Sequence, residues 1–261
     1  MLRIRDAEDC RNGLYDFEKN FIDQTCGDHR SMTILCLGCG AGREVFGLLD
    51  LGHTVCGVDA SEEMIAAARI LNENRQNKGE FVSAFVPPIP FEGRVFDLII
   101  GTYNLYTHIG FRAARLELLK ECKKVMAEGA LLILSYHEYD PARAPYVTIQ
   151  GEDNFKKMPA VKEAPDKDLY IKVMSADEVR TELHEAGFSV VALKNITELS
   201  DARKIPWSKS VTFVAAKLTA DRGLVASKLL SNLCDALIGF YKAVNLISFD
   251  LAEVFVIHRA T

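Results

Sequence analysis

Residues 35–42 read Leu35-Cys-Leu-Gly-Cys-Gly-Ala-Gly42, and this stretch decides the fold. An apolar run that begins at Thr33 ends in three alternating glycines, and a helical pattern with Val45 and Phe46 follows. The pattern predicts a buried strand, a glycine turn and then a helix. Glycine lets the backbone turn sharply and lets a ligand approach without a Cβ atom in the way. In an open parallel sheet, such a ligand lies at the carboxyl ends of the strands.

The spacing of these glycines indicates which of two kinds of nucleoside-containing ligand the turn would bind. The dinucleotide fingerprint is G-x-G-x-x-G, whose third glycine allows the helix to pack closely on the strand. Here the third glycine is Gly42, at the fifth position, and Arg43 occupies the sixth. The side chain of Arg43 would crowd that packing, so the spacing favours a ligand other than a dinucleotide.

A second apolar run, 54–58, ends in Asp59, which lies 21 residues after Gly38. A carboxylate at this place can accept hydrogen bonds from both ribose hydroxyls, and charge-assisted hydrogen bonds are the stronger kind. A lone aspartate at a strand end is more often a turn residue. Its spacing from the glycine turn favours the ribose role.

Strands alternate with helices through the first 135 residues, which indicates βαβ units and a parallel sheet with right-handed crossovers. Further strands are predicted at 81–84, 95–100, 130–135, 188–193 and 211–217. Helices are predicted at 14–25, around the apolar stripe of 118–126, and after a capping box that runs from Ser175 to Glu178. The sequence leaves open whether 211–217 or 254–258 is the last strand of the sheet.

Two segments interrupt this alternation. Residues 137–174 hold four prolines and are too long for a plain loop, so we predict a cap insertion over a site. Within it, 146–150 and 169–173 could pair as an antiparallel ribbon. Residues 220–261 predict a helix and a strand. This C-terminal extension either packs on the main domain, 1–219, or forms a homodimer interface.

The amino-acid composition and net charge exclude several classes of protein. The chain has 261 residues, of which 49% are hydrophobic and 26% charged, as in ordinary globular proteins and unlike disordered chains. The chain has 31 Lys and Arg residues and 36 Asp and Glu residues. The resulting net charge of −5 argues against a nucleic-acid partner. Seven scattered cysteines and six histidines show no metal-ligand spacing. Without a signal peptide or an apolar run of membrane length, we expect a cytoplasmic protein with no membrane contact and no metal.

Taken in order, four motifs resemble those of class I S-adenosylmethionine-dependent methyltransferases. They are the turn at 35–42; Gly57-Val-Asp-Ala-Ser61 with Met64; Ile89-Pro-Phe91 before Phe96-Asp-Leu98; and Ala127-Glu-Gly-Ala-Leu-Leu-Ile-Leu134. The resemblance covers roughly residues 30–217. It implies an α/β, Rossmann-like, doubly wound and mostly parallel sheet of seven strands with an antiparallel last strand. It also implies an enzyme that uses S-adenosyl-L-methionine to methylate an O or N nucleophile of a small-molecule acceptor.

The resemblance further implies which residues hold the cofactor. Four residues of the turn would face its methionine part: Gly38, Cys39, Gly40 and Gly42. Asp59 would hold the ribose, with Ala60 and Met64 beside it. Phe85 and Val86 would flank the adenine, and Thr102 and Tyr103 would lie by the reactive sulfonium.

Two positions depart from the family pattern. Cys36 stands where an acidic residue is common, so a carboxylate that helps to place the cofactor's ammonium group is missing. Phe85 occupies a position where the family often has an aspartate that accepts a hydrogen bond from the amino group of the adenine. The Phe85 ring can stack on a base but cannot accept this hydrogen bond.

Methyl transfer from a sulfonium is an in-line displacement, for which orientation alone can lower the barrier by about 7–11 kcal/mol. A base is needed only if the acceptor must lose a proton early. Two histidines, His108 and His137, follow the fourth and fifth strands and are candidate bases, since histidine titrates near neutral pH. Tyr106 is a further candidate at this edge, although tyrosines there are more often packing residues.

Two alternatives remain open at this point. One is a non-catalytic cofactor-binding or scaffold protein on the same fold, which the departures at Cys36 and Phe85 favour. The other is an enzyme that transfers a different group from the same cofactor. The intact glycines of the turn and Asp59 count against the scaffold.

Overall fold

A computed structural model describes Cys10 and residues 13–27, 30–138, 170–199 and 211–219. Two short strands at 147–148 and 155–157, and residues 170–171, are described by their backbone alone. Apart from Thr219, all of these residues fall within one compact unit, Met1–Leu218. The predicted extension at 220–261, with its strand at 254–258, lies outside the described residues.

The predicted elements occur in the predicted order, and the structure adds short elements at 105–108, 155–157 and 196–199. The helices are α1 Asp16–Cys26, α2 Arg43–Asp50, α3 Glu62–Glu73, α4 Leu105–His108, α5 Arg112–Lys124, α6 Ala176–Glu185 and α7 Ile196–Leu199. The strands are β1 Thr33–Leu37, β2 Thr54–Asp59, β3 Glu80–Ser83, β4 Phe96–Gly101, β5 Met126–His137, β6 Val147–Thr148, β7 Phe155–Lys157, β8 Tyr170–Lys172, β9 Phe188–Asn195 and β10 Val211–Leu218.

Seven strands form one sheet in the order β3-β2-β1-β4-β5-β10-β9. The five strands from β3 to β5 are parallel, and β10 runs antiparallel to both β5 and β9. The predicted seven-stranded Rossmann-like sheet with an antiparallel last strand is therefore confirmed. Because β10 is reversed, its first residue, Val211, lies opposite His137 at the carboxyl end of β5.

Helices cover both faces of this sheet. The first three helices bury residues such as Phe21, Val45 and Ile65 against one face. On the other face, α4, α5 and α6 bury Tyr106, Leu119 and Leu183, among others. A sheet buried on both sides needs largely apolar strands, which is why β1 is a hydrophobic run and β4 continues as Leu98-Ile-Ile100 after Asp97.

Two helix starts are capped by side-chain hydrogen bonds, and the second lies at the capping box that the sequence predicted. Ser61 Oγ accepts a hydrogen bond from the backbone N–H of Met64 at 3.3 Å. At α6, Glu178 N donates to Ser175 Oγ at 3.2 Å and Ser175 N donates to Glu178 Oε2 at 2.7 Å, which completes the capping box. Each cap satisfies backbone N–H groups that the helix itself leaves without a partner.

The ribbon predicted within 137–174 is wrong in its pairing. The two predicted strands do not pair with each other, because β7 lies between them and runs antiparallel to both. The physical reason is local. β7 follows β6 after a short connection, and closing a short loop costs less conformational entropy than closing the longer one to β8.

Candidate active site

The glycine turn after β1 has a backbone that only glycine adopts readily. Its three glycines all have positive φ, with 63° at Gly38, 51° at Gly40 and 95° at Gly42. A Cβ atom at Gly38 would lie 2.9 Å from Leu105 Cδ1, and one at Gly42 would lie 2.9 Å from Phe46 Cε2. Conformation and crowding both exclude larger residues here, so the turn presents bare backbone at the carboxyl edge of the sheet.

Asp59, the last residue of β2, is bound directly to this turn. Its Oδ2 accepts a hydrogen bond from the backbone N–H of Gly40 at 2.8 Å, and its Oδ1 accepts one from Ser61 at 2.9 Å. Each carboxylate oxygen can accept more than one hydrogen bond, so capacity for two ribose hydroxyls remains. Ala60 is exposed beside it, and Met64 Cε lies 3.2 Å from where a Cβ of Gly40 would be.

The end of β3 brings an aromatic ring to the same edge. Ser83 lies opposite Asp59 in the sheet, and the N–H of Ala84 donates to the Asp59 carbonyl oxygen at 2.9 Å. Phe85 follows with 80% of its surface exposed, and Val86 is half-buried. An open ring next to a ribose-type carboxylate can stack on a nucleobase.

The segment after β4 combines a buried hydroxyl with a strained turn. Thr102 is buried, and its Oγ1 donates to Glu44 Oε1 at 2.7 Å. Tyr103 and Asn104 follow with φ values of 54° and 62°, the left-handed region that non-glycine residues rarely adopt. The N–H of Asn104 donates to Ser135 Oγ on β5 at 2.8 Å, which helps to hold this conformation. Such backbone strain concentrates at ligand and catalytic sites.

A buried ionic cluster, formed by Glu18, Arg43 and Glu44, lies next to this segment. Arg43 donates to both oxygens of Glu18 at 2.7 Å and to Glu44 Oε1 at 2.6 Å. All three side chains are at most 8% exposed. Burial raises the pKa of Glu18, and the hydrogen bond to Arg43 opposes that rise. Two carboxylates against one guanidinium give a formal charge of −1, which favours a neighbouring cation.

Sequence reasoning missed this cluster. It treated Arg43 only as an obstacle to dinucleotide binding, whereas Arg43 ties α2 to α1. The sequence signal for the cluster is the Arg43-Glu44 pair directly after the glycine turn.

Cys36 carries no charge that could replace the family's acid. It is buried, and burial raises the pKa of its thiol well above the usual value, with the negative charge of Glu44 as the next cause. Among the carboxylates that act on this thiol, Glu44, on the helix that follows the turn, has the larger effect.

The structure brings the two predicted histidines together at the ends of α4 and β5. Burial and, to a smaller extent, the neighbouring His108 lower the pKa of His137 to about 4. His108 is more exposed, and the part of its ring that packs against protein lowers its pKa as well. Both rings are therefore neutral near pH 7, the form that can accept a proton.

Tyr106, the third predicted catalytic candidate, does not lie with the two histidines. It is fully buried on the opposite face of the sheet, and its hydroxyl donates to Glu182 Oε2 at 2.5 Å. Arg115 donates to both oxygens of Glu182, at 2.9 and 2.8 Å. Burial and the charge of Glu182 raise the pKa of Tyr106 well above its usual value. Its hydroxyl is engaged in this network, so we leave Tyr106 out of the proposed catalytic groups.

A pocket opens between α1 and the ends of β4, β5 and β10. The residues lining it that matter here are Tyr15, Phe17, Glu18, Tyr103, Asn104 and Phe213. The Oδ1 atom of Asn104 is buried and has no hydrogen-bond partner among the residues that the structure describes.

The parallel sheet, the glycine turn and the strand-end carboxylate form the arrangement with which open α/β sheets bind nucleoside-containing ligands, and the pocket lies at the same edge. Across the described ranges, no helix is long and apolar enough to span a membrane. No cluster of three His, Cys, Asp or Glu residues suited to a metal ion occurs in that part of the chain either.

The chain is similar to known methyltransferases. Residues 34–129 match the sequence family described as "Methyltransferase domain". The chain is 27% identical to the glycine/sarcosine N-methyltransferase of Aphanothece halophytica over 192 residues, which cover 66% of this chain and 71% of that protein. It is 25% identical to the ubiquinone biosynthesis O-methyltransferase of Dinoroseobacter shibae over 167 residues, 64% of either chain.

Solved structures share the fold. An S-adenosylmethionine-dependent methyltransferase from Methanosarcina mazei superposes with a TM-score of 0.63 at 20% identity, covering 79% of this chain and 99% of that one. The glycopeptide N-methyltransferase MtfA in complex with S-adenosylmethionine has a TM-score of 0.59 at 18% identity, covering 79% and 96%. Residues 34–129 thus carry a methyltransferase domain, and the fold is that of S-adenosylmethionine-dependent methyltransferases.

Proposed function

We propose that this enzyme transfers the methyl group of S-adenosylmethionine to an O or N nucleophile of a small-molecule acceptor, mainly by proximity and orientation. The observation that carries the proposal is the arrangement at the carboxyl edge of the sheet. There the Gly40–Asp59 hydrogen bond unites the turn with the strand-end carboxylate, and the aromatic pocket lies along the same edge.

We assign the cofactor's parts to residues whose geometry fits them. The bare backbone at Gly38, Cys39, Gly40 and Gly42 would receive the methionine part. Asp59 would accept the ribose hydroxyls, with Ala60 and Met64 beside it. Phe85 and Val86 would flank the adenine by packing alone, and Thr102 and Tyr103 would border the reactive end. The formal charge of −1 on the Glu18, Arg43 and Glu44 cluster suits a cofactor that carries cationic groups.

When bound, the cofactor supplies an activated methyl group on a sulfonium. The chain's own contribution is to hold the acceptor in line and to exclude water, and orientation of this kind can lower a barrier by about 7–11 kcal/mol. The electron-rich face of the Tyr103 ring, which is 57% exposed at this edge, suits a neighbouring cation.

A proton that leaves the acceptor has a nearby destination. His137 and His108 lie together at this edge, and the lowered pKa of each keeps it neutral near pH 7. A neutral imidazole can accept a proton, although its low pKa makes His137 a weak base. Assistance by histidine would therefore add to orientation and would not replace it.

The named relatives support a small acceptor. Their names assign one of them to glycine and sarcosine nitrogen and the other to an oxygen in ubiquinone biosynthesis. The net charge of −5 makes a nucleic-acid acceptor unattractive. Within this proposal, 1–219 forms the cofactor-binding domain, 137–174 is its cap, and a homodimer would use the extension at 220–261.

A calorimetric titration with S-adenosylmethionine, S-adenosylhomocysteine and NAD tests the first half of the proposal. Micromolar binding of the first two and none of NAD is expected. Release of S-adenosylhomocysteine in the presence of small amines, alcohols and phenols then tests the second half. Tight cofactor binding without turnover of any acceptor class would favour a cofactor-binding scaffold instead.

A further inference from the structure

We propose that the base site at Phe85 does not distinguish the group at position 6 of the purine, so that it also binds nucleosides with a 6-oxopurine or an N6-substituted adenine. This inference rests on the proposed cofactor assignment and goes beyond it, because it names a class of ligand that the site accepts in addition to S-adenosylmethionine. It follows from where the base must lie, from the groups that reach the base, and from the openness of that edge.

The order of the strands places the base at the end of β3. Asp59 ends β2, with the glycine turn of β1 on one side and β3 on the other. The base is attached at C1′ and the methionine part through C5′, at opposite ends of the ribose. With the ribose at Asp59 and the methionine part at the turn, the base extends toward β3. The Ala84 N–H, which donates to the Asp59 carbonyl oxygen at 2.9 Å, brings the next segment of chain to this place.

This segment offers the base no side-chain hydrogen-bond acceptor. Residues 84–91 read Ala84-Phe-Val-Pro-Pro-Ile-Pro-Phe91 and contain no carboxylate, amide or hydroxyl. The 6-amino group of adenine is a donor and needs an acceptor. The backbone N–H groups of Phe85 and Val86 are themselves donors, and the two prolines that follow have no N–H. A backbone donor can bond N1 of adenine or the 6-oxygen of hypoxanthine, so it accommodates both bases.

Ser83 is the polar side chain that precedes this segment, and it does not supply the missing selectivity. It is paired with Asp59 in the sheet and is therefore level with the carboxylate that we assign to the ribose. Its hydroxyl can donate a hydrogen bond as well as accept one. A 6-amino and a 6-oxo group would thus be equally acceptable to it.

The edge of the base site is also open. Phe85 is 80% exposed, and its neighbours Ala84 and Val86 are half-buried. A substituent on the 6-amino group would extend past this ring into solvent. Sites whose buried polar groups lose a partner reject an analogue by about 10⁴- to 10⁵-fold, whereas apolar sites reject isosteres weakly. Phe85 creates neither a lost hydrogen bond nor a wall at position 6.

Three ligands test this inference without any turnover. They are S-adenosylhomocysteine, S-inosylhomocysteine, in which an oxygen replaces the 6-amino group, and S-adenosylhomocysteine with a benzyl group on N6. Calorimetry on the purified full-length chain would measure their affinities. The three should agree within about threefold, which is less than the loss expected when one hydrogen bond to a charged partner is removed.

Phe85→Asp and Phe85→Asn are matched variants at an exposed position. A carboxylate only accepts hydrogen bonds, whereas a carboxamide both donates and accepts them. Phe85→Asp should therefore bind S-adenosylhomocysteine about tenfold more tightly than S-inosylhomocysteine, and Phe85→Asn should show no such preference. Phe111→Asp replaces another exposed phenylalanine, at the start of α5, and should match wild type for all three ligands.

Two results would overturn the inference. One is a wild-type preference for S-adenosylhomocysteine of about tenfold or more over either analogue, the size of one good hydrogen bond. The other is a Phe85→Asp protein without a preference, because residue 85 would then not lie at position 6 of the base.

Failure of the proposed function gives a different result. If none of the three ligands binds, the cofactor assignment fails and the base site fails with it. If all three bind equally but no acceptor of any class is methylated, methyl transfer is overturned and the tolerance at position 6 stands.

Discussion

Asp59 accepts a hydrogen bond from the backbone N–H of Gly40 at 2.8 Å, so the end of β2 holds the glycine turn that follows β1. The same carboxylate group accepts a second bond from Ser61, at the start of α3. One side chain thus links the two sequence motifs that we assign to the cofactor. Its loss would remove a ribose acceptor and also loosen the turn.

Asp59→Ala should therefore weaken binding of S-adenosylmethionine by on the order of 1–3 kcal/mol, the loss expected for charge-assisted hydrogen bonds. Calorimetry on the purified variant measures this directly. Glu63→Ala removes an exposed carboxylate from the first turn of α3 and should leave the affinity unchanged. An Asp59→Ala protein with wild-type affinity would contradict the ribose assignment.

Gly38→Ala and Gly129→Ala compare two glycines that both have positive φ. Each alanine should destabilise the fold by about 1–2 kcal/mol through backbone strain. At Gly129 the new Cβ meets open space among the described residues, whereas at Gly38 it approaches Leu105 Cδ1 within 2.9 Å, in the turn itself. Only Gly38→Ala should reduce cofactor affinity, by about tenfold or more. Similar affinities for the two variants would argue against the turn as the cofactor site.

The pKa of His137, lowered to about 4, gives stability a pH dependence. Between pH 6.5 and 4 the unfolded state binds this proton and the folded state does not. Stability that is complete above pH 6.5 is therefore lost as the pH falls, by at most about 1.4 kcal/mol per pH unit. Urea unfolding at pH 7.5 and 5.0 should show a loss that is about 1–2 kcal/mol smaller in His137→Gln than in wild type. The exposed His184→Gln should behave like wild type, and a His137→Gln protein that does so too would refute the prediction.

His108→Ala and His137→Ala separate base catalysis from orientation. If either histidine accepts the acceptor's proton, its variant should lose about a hundredfold or more in turnover while S-adenosylhomocysteine still binds normally. Turnover would be followed by S-adenosylhomocysteine release, and affinity by calorimetry. Unchanged turnover in both variants would leave orientation as the sufficient account.

Glu182→Gln should destabilise the fold strongly, because Arg115 would remain buried at 1% exposure without a full partner. Removing one partner of a buried ion pair costs about 3–5 kcal/mol. Glu185→Gln provides the control, since Glu185 is 51% exposed and pairs with Arg112 at the surface, where pairs contribute about 0–1 kcal/mol. Urea denaturation distinguishes the two, and equal midpoints would contradict the buried role of Glu182.

The sequence predicted the parts of this structure that depend on local patterns. The strands from β1 to β5, the glycine turn and the caps at Ser61 and Ser175 follow from hydrophobic periodicity and from spacings of a few residues. The reversed strand β10 was predicted at 211–217, but its place between β5 and β9 required the fold.

What the sequence could not predict depends on contacts between distant residues. Glu18 meets Arg43 across 25 positions, Thr102 meets Glu44 across 58, and Tyr106 meets Glu182 across 76. No local pattern reveals such pairs, so Tyr106 looked like a candidate at the site when its hydroxyl is engaged elsewhere. The pairing of β6 with β7 was not predicted either, because residues 155–157 contain one hydrophobic residue and two lysines and so show no strand pattern.

The reversed strand β10 also has a consequence for how the proposed site can change in evolution. The proposed cofactor contacts lie within residues 38–103, whereas the pocket beside them also needs α1 to meet the last strand, β10. Phe17 of α1 contacts Phe213 of β10, with ring centroids 5.8 Å apart. Substitutions at these two ends of the domain can therefore reshape the pocket without touching the residues that we assign to the cofactor.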